Sequence, residues 1–288
     1  MSVEIKKYPD GTSYAVLNKV EVFGEQEFPN LFTFRVNTYE DLWHLNQVVD
    51  VCNYNNIVPT IVIPNLIDAQ ADKRDATNKS FGLKLVLYFL AKMNAKFEIF
   101  HPHNAEIVEG IMNNVKIIDN TQFIKEALEV ITDEGDYTSM EDFQSKMILM
   151  SSDAGGFKPL IKLADKINWK GETYSASKAR SWDEKDGTKF VQQIDRQDFK
   201  GKDILIIDDI SVYGGTFKGL SKLLRERNVG KLYLAVSHIT MKNLGEDSVT
   251  NYFDKVFTTN SKFDHYYLDV RAYPKKSFPD NLEIIKLF

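Results

Sequence analysis

Hydrophobic and polar positions along this chain alternate at the spacings of strands and helices that follow one another. Apolar residues that recur every three or four positions predict helices at residues 40–54 and 81–93. Short continuous apolar runs are typical of strands buried on both faces of a parallel sheet, and they occur at residues 60–63, 97–100, 147–150 and 204–207. Strands that alternate with helices form right-handed βαβ units, so the pattern predicts an α/β fold with largely parallel sheets.

Other stretches give weaker predictions. Residues 177–189 are polar and contain a glycine, which favours a mobile loop, and residues 23–27 are typical of a turn or loop. Further short strands are expected at residues 266–270 and elsewhere in the second half, and a last short apolar helix at the C-terminus. The apolar pattern is interrupted near residues 135–145 and then begins again. This predicts three segments: an N-terminal α/β domain, a C-terminal α/β domain, and a tail that packs back on the body, at residues 1–142, 143–270 and 271–288.

Composition narrows the class of protein. The 288 residues suit one large or two modest domains, and 43% hydrophobic with 27% charged residues is ordinary for a soluble protein. A net charge of −5 argues against a broad nucleic-acid or anionic-membrane surface. One cysteine, Cys52, cannot form an internal disulfide. The first residues contain no apolar stretch typical of a leader, so we expect a cytoplasmic protein without membrane contacts.

The apolar run at 204–207 leads into the stretch with the clearest chemistry. Asp208 and Asp209 follow it, then a short loop that ends in Gly214, Gly215 and Thr216, and then a helical pattern. Glycines let backbone N–H groups turn towards an anion, and a helix N-terminus adds its positive dipole end. Carboxylates at the carboxyl end of a strand accept hydrogen bonds from sugar hydroxyls or hold a metal ion. The alternative is an ordinary strand-to-helix turn.

This stretch contains neither the Walker pattern nor GxGxxG. It resembles the phosphoribosyl pyrophosphate (PRPP) loop of the phosphoribosyltransferase superfamily, which joins a hydrophobic strand, two acids and a loop ending in Gly-Gly-Thr. Further segments in order along the chain resemble those of ribose-phosphate pyrophosphokinases, also called PRPP synthetases. They lie at residues 69–75, 100–103, 152–156, 178–180, 237–238 and 258–261.

The resemblance implies two phosphoribosyltransferase-type (Rossmann-like) domains, the first on the ATP side and the second on the ribose 5-phosphate side. It also implies transfer of the β,γ-pyrophosphoryl group of ATP to O1 of ribose 5-phosphate, with Mg²⁺ as cofactor. The implied catalytic residues are Lys178 and Arg180, and the implied metal contacts are His103 and Asp153. The ribose 5-phosphate site would comprise Asp208, Asp209, Val212, Tyr213, Gly214, Gly215 and Thr216. The ATP site would comprise Phe23, Glu25, Glu27, Lys73, Arg74 and His103, with the first three offered by a neighbouring subunit of a dimer or hexamer.

Each of these residues also has a structural explanation. A lysine and an arginine in a polar loop are commonly solvated charges. His103 suits a helix start, Asp153 a turn, and residues 23–27 a surface loop. The functional interpretation depends on the resemblance.

The chain departs from the family pattern at three places. Gln70 and Ala71 stand where Arg-Gln is usual, Val212 and Tyr213 where Asp-Thr is usual, and His101 where an Asp is typical. Backbone N–H contacts to a phosphate survive such changes better than side-chain contacts to ATP. Two other functions therefore stay open beside PRPP synthesis: a phosphoribosyltransferase that consumes PRPP, and a non-catalytic regulatory subunit.

Overall fold

The computed structural model describes residues 3–22, 25–183, 187–240, 247–262 and 278–288, and only the backbone at 21–22, 25–27, 178–183 and 187–191. The chain divides into two compact units. The first holds Met1–Asp119 together with Phe288, and the second holds Asn120–Leu287.

In its described residues, the first unit is a four-stranded parallel sheet with three helices and two antiparallel hairpins. The hairpins pair β1 (Val3–Lys7) with β2 (Ser13–Leu17), and β3 (Val20–Val22) with β4 (Glu25–Glu27). The sheet has the strand order β5, β6, β7, β8, which are Leu31–Thr33, Thr60–Ile63, Lys96–Phe100 and Val115–Ile118. The connecting helices are α1 (Tyr39–Tyr54), α2 (Gly82–Ala91) and α3 (Ala105–Ile111).

Alternation along the strands builds the core of this unit. Ile61 and Ile63 of β6 are fully buried and share one apolar cluster with Leu45 of α1 and Leu87 of α2. Helix α3 is capped by Asn104, whose side chain accepts a hydrogen bond from the third amide of the helix. The helices predicted at residues 40–54 and 81–93 are confirmed as α1 and α2.

The second unit begins with two helices and then combines helices with strands. Its helices are α4 (Thr121–Glu134), α5 (Met140–Lys146), α6 (Phe157–Lys166) and α7 (Gly215–Arg225). Its strands before α7 are β9 (Met147–Ser151), β10 (Glu172–Ser175), β11 (Ser177–Asp183), β12 (Gly187–Gln193) and β13 (Asp203–Ser211). The strands that follow are β14 (Leu232–Ile239), β15 (Lys255–Thr259) and β16 (Leu282–Ile285).

Six of these strands form one parallel sheet, in the order β10, β9, β13, β14, β15, β16. Ile204 and Ile206 of β13 pack with Phe217 of α7 on one face. Leu205 packs on the other face, in a cluster that includes Phe123 of α4. Helices cover both faces, which explains why residues 204–207 form a continuous apolar run. The predicted α/β fold with parallel sheets is confirmed.

Two polar stretches predicted as loops are strands. Residues 177–183 form β11 and residues 187–189 begin β12, and the two strands pair antiparallel with Ser177 opposite Gln193 and Asp183 opposite Gly187. Residues 177–189 are mostly polar and show no alternation of apolar and polar residues, so the sequence carries no strand signal there. Residues 25–27 form β4 rather than a turn, and Phe23 lies outside the described residues.

The predicted C-terminal helix is wrong, because β16 pairs in parallel with β15 at the edge of the sheet. A run of four apolar positions is too short to distinguish a helical period from an edge strand. The strand predicted at residues 266–270 lies outside the described part of the chain.

The two units also divide earlier than the pattern predicts, after Asp119 rather than after residue 142. Helix α4 explains the difference, because Phe123, Ile124 and Ala127 are fully buried in the cluster that covers the six-stranded sheet. The polar interruption at residues 135–145 contains the connection between α4 and α5 within the second unit.

Candidate active site

The carboxyl edge of the six-stranded sheet gathers most of the sequence-predicted residues of the second unit. Strands β9, β13 and β14 are neighbours, and Asp153, the Asp208–Asp209 pair and the loop before α7 lie at or just beyond their carboxyl ends. In open α/β sheets this edge is where ligands bind.

Asp208 and Asp209 are half-buried within the last four residues of β13, not after its end. The Ser152 hydroxyl donates to Oδ2 of Asp208, and the Asp209 amide donates to Oδ1 of Asp208 at 2.9 Å. The Ile210 amide donates to Oδ1 of Asp209 at 2.7 Å. Burial, and then the neighbouring Asp209 charge, raise the pKa of Asp208 above its ordinary value. The donated hydrogen bonds from Ser152 and the Asp209 amide oppose that shift by favouring the carboxylate.

The loop between β13 and α7 has the geometry of an anion cradle. Gly214 adopts a left-handed conformation with φ +72° and is buried directly before the helix. Its side chain is a hydrogen atom, so it offers no cap to the first amides of α7, which begin at Gly215 and Thr216. Uncapped amides and the helix dipole favour a bound anion at this point.

Thr240, which the sequence did not single out, fixes this loop from the neighbouring strand. Its hydroxyl donates to the carbonyl of Val212 at 2.6 Å, and its amide donates to the carbonyl of Ser211 at 3.0 Å. Tyr213 is 66% exposed beside these contacts. Thr240 therefore holds this segment through its carbonyl oxygens. The amides that follow, from Gly215 onward, belong to the first turn of α7.

Asp153 lies in a tight turn between β9 and α6. Its Oδ1 accepts the amide of Gly156 at 3.1 Å. The hydroxyls of Ser151 and Ser175 both donate to its carbonyl oxygen, at 2.9 and 3.2 Å. The turn is thus fixed by three hydrogen bonds next to the end of β10.

Lys178 and Arg180 lie on β11, which begins two residues after Ser175. They are paired in register with Gln192 and Phe190 of β12. Strand β12 lies alongside α7, and a β-carbon at Gly219 would come 3.9 Å from Cγ of Gln192. The hairpin backbone therefore adjoins both the Asp153 turn and the helix that begins at Gly215.

The segments at residues 237–238 and 258–261 meet at the ends of β14 and β15. His238 is buried, and its Nδ1 is 2.8 Å from the hydroxyl oxygen of Ser261. That hydroxyl also donates to the carbonyl of Ser237 at 3.1 Å. These contacts order the edge of the sheet beside Thr240.

The first unit brings its own candidates to the carboxyl edge of its sheet. The connector after β6 and the segment after β7 are joined by Asn104, whose Nδ2 donates to Oδ2 of Asp72 at 3.1 Å. The Tyr39 hydroxyl at the head of α1 donates to Oδ2 of Asp68 at 2.9 Å. Neither contact was predicted from the sequence, because each joins residues about thirty positions apart.

Three of the six predicted ATP-side residues lie on those two segments. Lys73 is exposed, with Nζ 3.9 Å from Oδ1 of Asp75. Arg74 donates from Nη1 to the carbonyl of Lys79. His103 is exposed at the start of the segment that leads into α3. The side chains of Glu25 and Glu27 are outside the described part of the molecule, so their roles stay predictions.

The carboxylates at this edge of the sheet suit a cation that needs few protein ligands. Among the described residues, no group of three or more His, Cys, Asp or Glu side chains is placed to hold a metal ion. Mg²⁺ commonly takes one or two carboxylates and completes its shell with water and substrate phosphates. Asp153, Asp208 and Asp209 each offer a carboxylate near this edge of the sheet, and a cation bound here would take its remaining ligands from water and substrate.

No helix among the described residues is long and apolar enough to cross a bilayer.

Comparison with known proteins places these features in a family. The model of the phosphoribosyl transferase domain matches residues 119–273. The ribose-phosphate pyrophosphokinase of Sulfurisphaera tokodaii is 25% identical over 91% of this chain and 84% of its own. That of Pyrococcus furiosus is 23% identical over 90% of this chain and 86% of its own.

A solved structure shares the fold over nearly the whole chain. The phosphoribosylpyrophosphate synthetase of Mycobacterium smegmatis superimposes with a TM-score of 0.72, covering 99% of this chain and 85% of that one at 18% identity. The chain is thus similar to ribose-phosphate pyrophosphokinases, from which it has diverged in sequence. Because the domain model matches more than half of the chain, the protein belongs to the phosphoribosyl transferase domain family.

Proposed function

We propose that the protein is a ribose-phosphate pyrophosphokinase. The O1 hydroxyl of ribose 5-phosphate attacks the β-phosphorus of ATP, the bond between the α- and β-phosphates breaks, and AMP leaves as PRPP forms. The observation that carries the proposal is the Asp208–Asp209 pair on β13, followed by left-handed Gly214 at the head of α7. This arrangement supplies hydroxyl acceptors and an anion cradle a few residues apart.

The ribose side follows from that geometry. The amides at Gly214, Gly215 and Thr216, with the Thr216 hydroxyl, bind the 5-phosphate. Asp208 and Asp209 accept hydrogen bonds from the ribose hydroxyls. Thr240 supports the loop carbonyl of Val212, so the departures at Val212 and Tyr213 leave the backbone cradle intact.

The Mg²⁺ ion would neutralise the charge of the transferred phosphates. On the ribose side, Asp153 would contribute a carboxylate ligand, and water and substrate oxygens would complete the shell. His103 would contact the ATP-bound ion through water or contact ATP directly, because imidazole is a poor Mg²⁺ ligand.

The hairpin of β11 and β12 would bring cations to the reaction. Lys178 and Arg180 would bind the β-phosphate as negative charge moves towards the leaving AMP. The support is the position of the hairpin, which adjoins α7 and the Asp153 turn. Water excluded by such a hairpin could not hydrolyse ATP.

Lys73 and Arg74 would contact the ATP phosphates from the first unit. Phe23, Glu25 and Glu27 would contact adenine from a neighbouring copy, so the proposal includes a homo-oligomer, a dimer or hexamer.

A phosphoribosyltransferase would share the PRPP loop and consume PRPP instead. The first α/β unit, with its own four-stranded sheet, argues for synthesis, because similarity to the pyrophosphokinases extends over it. A regulatory subunit without activity would follow if the changes at Gln70 and Ala71 abolish ATP binding. Turnover by the purified protein separates these functions.

Purified full-length protein is incubated with ATP, ribose 5-phosphate and MgCl₂, and AMP and PRPP are quantified by chromatography. We expect equal amounts of AMP and PRPP, with neither formed when ribose 5-phosphate is omitted. AMP release that ignores ribose 5-phosphate would point to a different acceptor. PRPP loss in the presence of a base would instead identify a phosphoribosyltransferase.

Lys178→Ala tests the hairpin assignment. We expect kcat to fall by about 10²–10³ because one cation at the transferred phosphates is removed, while the melting temperature stays unchanged. Lys231→Ala is the matched control, because Lys231 is exposed at the opposite, amino end of β14. Equal kcat values for Lys178→Ala and Lys231→Ala would contradict the assignment of Lys178 as a catalytic residue.

A further inference from the structure

Ser152 occupies a position that the proposed reaction does not yet use. It directly follows β9, whose last residue Ser151 is paired in register with Ile207 of β13. The next residue of each strand is therefore Ser152 beside Asp208, and the Ser152 hydroxyl donates to Oδ2 of Asp208. Ser152 is 3% exposed, so water has little access to this contact.

The Asp208 carboxylate is held from two directions. Ser152 donates to Oδ2, and the Asp209 amide donates to Oδ1 at 2.9 Å. Each oxygen of a carboxylate can accept more than one hydrogen bond, so both keep capacity for a ligand hydroxyl. Two donors on opposite oxygens fix the plane of the carboxylate, which a single donor cannot do.

The environment of Asp208 explains why its carboxylate needs these two hydrogen bonds. Asp208 is half-buried, and the like charge of Asp209 follows directly in the chain. Repulsion between adjacent carboxylates favours a rotation of Asp208 away from its neighbour. The hydroxyl of Ser152 is a fixed donor on the adjacent strand, and it opposes that rotation.

We propose that Ser152 is a positioning residue that holds Asp208 in the orientation that accepts a hydroxyl of the ribose phosphate. This inference rests on the proposed function, in which Asp208 contacts the sugar. Ser152 itself touches no reacting atom. Its contribution appears in the affinity for ribose 5-phosphate and not in the affinity for ATP.

The test compares three variants of the full-length protein: Ser152→Ala, Ser152→Thr and Ser221→Ala. Ser221 is a matched control, because it is buried to 1% exposure in α7 and its hydroxyl donates to the main-chain carbonyl of Lys218. For each variant, kcat, the two KM values and the melting temperature are measured, and ribose 5-phosphate binding with MgCl₂ is measured by calorimetry.

We expect Ser152→Ala to raise KM and the calorimetric Kd for ribose 5-phosphate about tenfold or more, because a hydrogen bond to a charged group is lost. KM for ATP should stay within about twofold, and Ser152→Thr, which keeps the hydroxyl, should restore most of the affinity. Ser221→Ala should match the wild type.

Three results would overturn the inference. Ser152→Ala leaves ribose 5-phosphate affinity unchanged; or both KM values and the melting temperature shift together, which marks a structural role; or Ser152→Thr is no better than Ser152→Ala. The binding measurement separates this inference from the reaction. A wild type that makes no PRPP but binds ribose 5-phosphate in a Ser152-dependent way refutes the reaction alone.

Discussion

Gly214 adopts φ +72° at the head of α7, a conformation that costs an L-residue about 1–2 kcal/mol. The glycine was predictable from the sequence, because a left-handed turn demands that residue type. The acidic pair was predicted from its position after an apolar run, and it lies within β13. The supports of the site were not predictable. Ser152 is 56 positions from Asp208, and Thr240 is 28 positions from Val212. Nothing local marks a serine or threonine that becomes a neighbour only when parallel strands pair.

Gly214→Ala tests the cradle. A β-carbon at this φ strains the loop, and relief of the strain moves the amides that would bind the 5-phosphate. We expect KM for ribose 5-phosphate to rise by on the order of tenfold to a hundredfold, measured by steady-state kinetics.

Gly11→Ala is the control for backbone strain alone. Gly11 also has positive φ, +88°, and a β-carbon there would meet no atom within 4 Å, in the turn between β1 and β2. It should lower the melting temperature with KM unchanged. If KM for ribose 5-phosphate were the same in Gly214→Ala as in the wild type, the 5-phosphate would not bind at this loop.

At the scale of elements, helices and strands were predicted correctly where burial imposes a regular spacing of apolar residues. Residues 204–207 and 60–63 were correctly predicted as strands. Their apolar runs reflect the burial of these strands within their sheets. Prediction failed for residues 177–183 and 187–189, which form β11 and the start of β12 rather than a loop. It also failed for β16, where four residues fit a strand and a helix turn equally. The division of the chain was misplaced because α4 belongs to the core of the second unit.

A half-buried contact near the start of β13 gives the second unit a pH dependence. The Tyr137 hydroxyl donates to Oδ2 of Asp203 at 2.7 Å. Burial, and then this hydrogen bond, raise the pKa of Tyr137, and burial also raises the pKa of Tyr233. The stabilisation is complete below about pH 10, where tyrosine in the unfolded chain titrates. It is lost as pH rises further, because only the unfolded chain releases the proton there.

Tyr137→Phe should therefore lower the free energy of unfolding by about 1–2 kcal/mol near pH 8, where a hydrogen bond to a carboxylate is lost. Its melting temperature should then fall less steeply than that of the wild type between about pH 9 and pH 11. Thermal unfolding followed by circular dichroism measures both. Tyr54→Phe, at an 88% exposed position, is the control and should keep the wild-type slope. Parallel slopes for Tyr137→Phe and the wild type would contradict the argument.

At the scale of the whole molecule, the fold is shared more widely than any one reaction. The phosphoribosyl transferase domain accounts for residues 119–273, and the first unit supplies a second parallel sheet with candidate residues at its carboxyl edge. Composition and charge predicted the broad class of protein and no more. The fold therefore does not determine the activity. The reaction between the nucleotide and the sugar phosphate has to be measured on this protein.

The fate of the ATP phosphates tests that central claim most directly. The protein is supplied with ribose 5-phosphate, MgCl₂ and ATP labelled with ³²P at either the β- or the γ-position in parallel reactions, and the products are separated by chromatography. The account predicts that both labels appear in PRPP and that AMP carries neither. Transfer of the γ-label alone, with the β-label retained in ADP, would contradict it.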